Sequence, residues 1–133
     1  MSSPDAPKPR PRSPHLQIYK PQLSSVLSIT HRASGVGLTL GAVVFVVWLV
    51  ALAGGQDSYN TFLSYAHTII GQIILFGLSC ALIYHYCCGI RHLLWDAGYC
   101  LDIKDVYKTG YIMLAIVPCL IAFVWLKAYG VIP

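Results

Sequence analysis

Three long apolar runs, separated by short polar stretches, follow a proline-rich polar segment at the start of the chain. The first run covers about Leu27–Ala53, is densest over Val36–Leu52, and ends at Gly54 and Gly55. The second extends from about Ser64 to Leu94 around an apolar heart at Ile69–Tyr84, and the third from about Val106 to Leu126. An α-helix of roughly 20 apolar residues crosses the hydrocarbon core of a bilayer. The pattern therefore predicts transmembrane helices over about 27–53, 64–94 and 106–126. No face of their cores carries charge, which strongly disfavours a soluble all-helical protein. Pro118 is tolerable in the third span, because neighbours in a membrane bundle satisfy the carbonyl it frees.

Residues 1–22 hold six of the eight prolines together with Lys8, Arg10, Arg12 and Lys20, so they cannot form a regular helix. They are predicted as an extended basic tail, with residues 23–133 forming a single transmembrane domain. No apolar core precedes a cleavage site, and the long amphipathic helix of a transit peptide is missing. A methionine start with no evident transit peptide favours a bacterial inner membrane, with the mitochondrial inner membrane as the alternative.

Composition agrees: 56% of the 133 residues are hydrophobic and 11% charged, against about 25% charged in soluble domains. Three helices enclose little volume, so a helical bundle shared with a partner membrane subunit is expected. The net charge of +4 reports orientation rather than nucleic-acid binding. Lys8, Arg10, Arg12, Lys20 and Arg32 flank the first span, and Arg91, Lys104 and Lys108 surround the second loop. Lysine and arginine are absent from the loop GGQDSYNTFLSYAH, and Lys127 alone follows the third span. Basic flanks stay inside, which puts the tail and second loop on the cytoplasmic or matrix side. The five cysteines (Cys80, Cys87, Cys88, Cys100, Cys119) show neither metal-ligand spacing nor a CxxCH motif. They read as small hydrophobes, although vicinal Cys87 and Cys88 leave redox work open.

Ionisable groups at membrane depth are expensive and mark function. His85, in ALIYHYCCGIRHLL, precedes His92 by seven residues, hence nearly the same helix face about 10 Å deeper. A neutral imidazole there needs a metal or haem iron, a hydrogen-bond acceptor or a quinone oxygen, and residue type does not choose among them. Ser28, His31 and Arg32 open the first span at spacings of three and four, which share a face. Arg32 can bind a propionate or polarise a carbonyl; it can equally be a snorkelling interfacial cation beside a capping serine. The antiparallel topology puts His85 and this group in one leaflet. That arrangement suits a deep haem iron with propionates toward water, and equally a quinone headgroup. Arg91, His92 and Asp96 end the second span at that level, and Asp96 can pair with Arg32 or Arg91. His15 and His67 read as boundary histidines, and Trp48, Trp95 and Trp125 as interfacial anchors.

The stretches RPRSPHLQIYKPQLSSVLSITHRASG and HYCCGIRHLLWDAG resemble the two signature regions of the cytochrome b subunits of succinate dehydrogenase, respiratory complex II. The pattern SxxHRxS followed some fifty residues later by HxxxGIRHLxWDxG is specific, and the likeness spans nearly the whole chain. The resemblance implies haem b with His85 as one axial ligand and the second ligand from a partner membrane subunit. It implies ubiquinone bound with the help of Ser28 and Arg32, and haem propionates near His31, Arg32 and His92. It also implies an iron–sulfur subunit and a flavoprotein subunit that oxidises succinate, since nothing in this chain could bind flavin. On this reading the chain anchors those subunits and contributes to quinone reduction. The alternatives are a haem-free structural anchor, the anchor of a related fumarate reductase, and a small transporter subunit. The last is disfavoured by the confinement of polar residues to one leaflet.

Overall fold

The structure, a computed structural model, describes residue 15 and residues 18–131. Among these residues every regular element is an α-helix: α1 (Leu23–Ala53), α2 (Gln56–Ala66), α3 (Ile69–Asp96) and α4 (Ile103–Ala128). The helices α1, α3 and α4 are long and apolar enough to cross a membrane. The 28 residues of α3 span about 42 Å at 1.5 Å per residue, so its ends reach past a hydrocarbon core of about 30 Å. The three long helices pack against one another, and α4 runs through Pro118 as one helix.

Boundaries differ from the expected spans in instructive ways. α1 begins at Leu23 and α4 at Ile103, before their apolar runs, because a helix does not stop where hydropathy does. The first loop contains α2, whose apolar positions are too sparse to stand out as a run. Tyr59, Phe62, Leu63 and Ala66 form its half-buried stripe while the rest of the helix is mostly exposed, as in a helix lying along an interface. Asp57 in its first turn favours the helix dipole. Gly55, at φ 87°, makes the bend from α1 in a region that residues with a Cβ rarely adopt. The second span therefore starts at Ile69 rather than Ser64. Thr68 caps it, its hydroxyl oxygen accepting from the Gly71 N–H at 3.1 Å.

Most of the predicted tail lies outside the described residues. Its described part turns at His15, whose carbonyl accepts from the N–H groups of Ile18 at 2.9 Å and Tyr19 at 2.8 Å. The buried core is small: Leu27, Cys88, Met113 and Val117, with Leu23, Ile83 and Tyr84 against them. It occupies the half of the bundle containing the start of α1, the end of α3 and the first part of α4. Large apolar residues such as Val36, Leu40, Ile69 and Ile70 remain exposed, as lipid-facing positions do.

Candidate functional site

The site forms where α1 and α3 come closest. Gly35 allows the approach: a Cβ on it would stand 3.2 Å from His85 Cε1. One turn earlier, the His31 ring stacks on His85 with centroids 4.2 Å apart and on His92 at 4.9 Å. The His85 Nδ1 lies 3.0 Å from the Ser34 hydroxyl and 3.2 Å from the His31 carbonyl oxygen. A carbonyl oxygen can only accept, so in this contact Nδ1 is the donor, and in the neutral ring that assignment leaves the lone pair on Nε2. His92 is held alike, its Nδ1 donating to the Cys88 carbonyl at 2.8 Å. The His31 Nε2 is buried and has no hydrogen-bond partner, an unpaired polar atom beside the two tethered rings.

Below the stack, Arg91 is buried at 5% exposure. Its Nε donates to the Thr109 hydroxyl at 3.1 Å and its terminal nitrogen to the Val106 carbonyl at 2.6 Å. The guanidinium also sits 4.2 Å from the centre of the Trp95 ring, within cation–π range. These contacts correct the expected pairing with Asp96: Arg91 spends its donors on α4. Five residues of helix carry Asp96 about 140° round the axis from Arg91, and it is exposed at the end of α3. Trp95 and Trp125 also turn inward, their indole N–H groups donating to the Cys100 carbonyl at 3.1 Å and the Ser79 hydroxyl at 2.9 Å.

The group Ser28, His31 and Arg32 is divided. His31 faces α3 inside the stack, Ser28 is half-buried, and Arg32 is exposed. A single step along a helix turns about 100°, which carries Arg32 from the α3 contact onto the flank. Ser28 and Arg32 thus sit one turn apart beside the histidines rather than among them. The vicinal cysteines separate as well: Cys88 is 1% exposed and donates to the Met113 sulfur at 3.3 Å, the packing role expected of it.

Several site residues escaped the sequence reading. Ser34 closes the SxxHRxS pattern one turn from His31, so its spacing was a usable signal. Tyr84, which donates to the Leu27 carbonyl at 3.1 Å and contacts the Thr30 hydroxyl, offered only its depth in the span. Thr109 gave no signal, because its role depends on a helix contact.

No cluster of three or more His, Cys, Asp or Glu able to hold a metal ion occurs among the described residues. The histidine rings stack rather than converge. His85 and His92 each offer the imidazole nitrogen opposite the tied one, and of the two it is the His85 ring that is tied across to α1. That donor set fits a group taking one axial ligand from this chain.

Comparison with known proteins follows the same line. Residues 6–124 match the family described as succinate dehydrogenase/fumarate reductase transmembrane subunit. The chain is 42% identical over 116 residues to the succinate dehydrogenase cytochrome b556 subunit of Rickettsia felis, covering 87% of this chain and 90% of that one. It is 42% identical to the cytochrome b560 subunit of Reclinomonas americana, covering 88% and 85%. Identity to the cytochrome b556 subunit of Paracoccus denitrificans is 37%, covering 87% and 94%. Together with the three apolar helices, these similarities support a multi-pass protein of a bacterial inner membrane, and the Reclinomonas chain suits the mitochondrial alternative.

Proposed function

Since the chain belongs to the succinate dehydrogenase/fumarate reductase transmembrane subunit family, we propose that it is the haem-binding membrane anchor of a succinate:ubiquinone oxidoreductase. The observation that carries this is the hydrogen bonding of His85, whose Nδ1 lies against the Ser34 hydroxyl and the His31 carbonyl oxygen, contacts that suit the tautomer with its proton on Nδ1. An iron-ligating histidine needs that tautomer, and a bond from its other nitrogen to a carbonyl commonly fixes it. His85 would hold the iron of haem b, with the second ligand from a partner membrane subunit. Once bound, the haem supplies a one-electron redox centre. His31, Arg32 and His92 would meet its propionates. The relatives' designation as cytochrome b subunits supports the same cofactor.

Ser28 and Arg32 form the quinone-binding edge. The Ser28 hydroxyl donates to a quinone carbonyl oxygen, and the Arg32 cation stabilises negative charge developing there during reduction. Such preorganised donors act strongly in a low-dielectric site. The exposure of Arg32 leaves that edge open for a partner subunit to complete. The tail and the α3–α4 turn face the cytoplasm or matrix, where protons enter and where the iron–sulfur and flavoprotein subunits dock. This chain oxidises no succinate itself.

The test is purification of the assembled complex with His85 intact or replaced. The parent complex should show a b-type reduced α band that is lost in His85→Ala. A band that survives unaltered removes His85 as ligand. In Arg32→Ala, quinone reduction should fall at least tenfold while succinate oxidation with a soluble artificial acceptor persists.

A further inference from the structure

The hydroxyl of Ser34 is bonded on both sides. It donates its one proton to the His31 carbonyl at 2.7 Å, the ordinary back-bond of a serine inside a helix. Its oxygen lone pairs then remain, and the Nδ1 of His85, on another helix, lies against them at 3.0 Å. The same imidazole proton reaches the His31 carbonyl oxygen at 3.2 Å, so the two acceptors share it. Gly35 stands next in sequence, and its missing side chain lets the ring lie this close to α1.

We propose that Ser34 is a positioning residue for the haem ligand. Its hydroxyl oxygen accepts the Nδ1 proton of His85, aiming the ring's Nε2 at the iron and raising that nitrogen's donor strength. The inference rests on His85 being an axial ligand. Accepting a hydrogen bond from the far side of an imidazole pushes electron density toward the ligating nitrogen, and the effect is stronger where the dielectric is low. A stronger donor favours ferric over ferrous iron, so Ser34 lowers the haem midpoint potential. It also limits rotation of the ring, because two acceptors on α1 define a direction that the His31 carbonyl alone does not.

The test is a redox titration of the haem α band, with low-spin electron paramagnetic resonance, in the intact complex carrying Ser34→Ala or Ser34→Thr. The alanine variant should bind haem with a more positive midpoint and altered g values, or lose haem that the threonine variant keeps. The threonine variant retains the hydroxyl and should match the parent. A midpoint and g values unchanged in Ser34→Ala overturn the proposal, as does an equal shift in both variants. If the alanine complex does not assemble, near-isosteric Ser34→Cys, a weaker acceptor, should shift the midpoint in the same direction. A parent midpoint in Ser34→Cys refutes the role. Loss of the His85 reading looks different: the parent complex then lacks b-type haem, or His85→Ala keeps it unaltered.

Discussion

The two halves of the bundle are built differently. In the half holding the histidines, polar atoms repeatedly cross from helix to helix: Ser34 and the His31 carbonyl to His85, Tyr84 to Leu27, Arg91 to Thr109 and Val106. The buried residues Leu27, Cys88, Met113 and Val117 lie at or near that level. In the other half all four helices line an open cavity of about 940 Å³, with residues such as Leu38, Phe45, Trp48, Phe62, Leu75 and Trp125 on its walls. Among the described residues the bonds that join helices there are from the Trp125 indole to Ser79 at 2.9 Å and from the Tyr129 hydroxyl to Gln72 at 3.4 Å. Lipid is as apolar as leucine, so apolar faces gain little by meeting each other in a membrane. Helices close where hydrogen bonds or small residues draw them together. The hydrogen-bonded half is the one that contains the histidine group.

Breaking the Arg91 clamp should have the largest effect on that contrast. Arg91→Ala removes charge-assisted bonds to α4 and leaves the Val106 carbonyl with the weaker bond from the Thr109 hydroxyl at 3.2 Å. A loss of about 3 kcal/mol is expected, read as a lower thermal midpoint of the detergent-solubilised complex. A loss below about 1 kcal/mol would show that the clamp does not hold the half together.

Added methyl groups sharpen the comparison. A Cβ on Gly110 would meet Leu27 Cδ1 at 3.1 Å and Leu23 Cδ2 at 3.3 Å in the packed half. Gly110→Ala should destabilise by about 1–2 kcal/mol through overpacking. Gly41→Ala meets Leu78 Cδ2 at 3.0 Å, but that flexible side chain borders the cavity and can retreat into it. Its effect should stay within about 0.5 kcal/mol. Equal losses in the two variants would contradict a difference in packing.

The smallest effects come from single hydrogen bonds. Tyr84→Phe removes one interhelical donor and should lower stability by about 1 kcal/mol. Ser79→Ala, in the open half, should lower it by about 0.6 kcal/mol, the average for such bonds in membranes. The order of the two thermal midpoints checks the contrast, since a larger loss at Ser79 reverses it.

Much of this was legible without coordinates. Unbroken apolarity is enough to mark a membrane span, because the bilayer imposes one length on every crossing helix. The depth of His85 and its seven-residue spacing from His92 follow from helix geometry alone. What escaped notice involved amphipathic or interhelical relations. α2 hid because its stripe of Tyr59, Phe62, Leu63 and Ala66 is too sparse to register as an apolar run. Asp96 looked a plausible partner for Arg91 because nearness along a chain does not specify a face, and Thr109 competed from a helix whose register was unknown.

The amino-acid order by itself determined that this protein crosses a membrane three times and buries an imidazole there, because hydrocarbon excludes charge and unpaired backbone. Tertiary structure alone decided which groups of α1 meet the Nδ1 of His85, that His31 turns inward while Arg32 stays outside, and that α4 satisfies Arg91. Those outcomes depend on the rotation and approach of one helix against another, which small residues and single hydrogen bonds set and which no local pattern along the chain encodes.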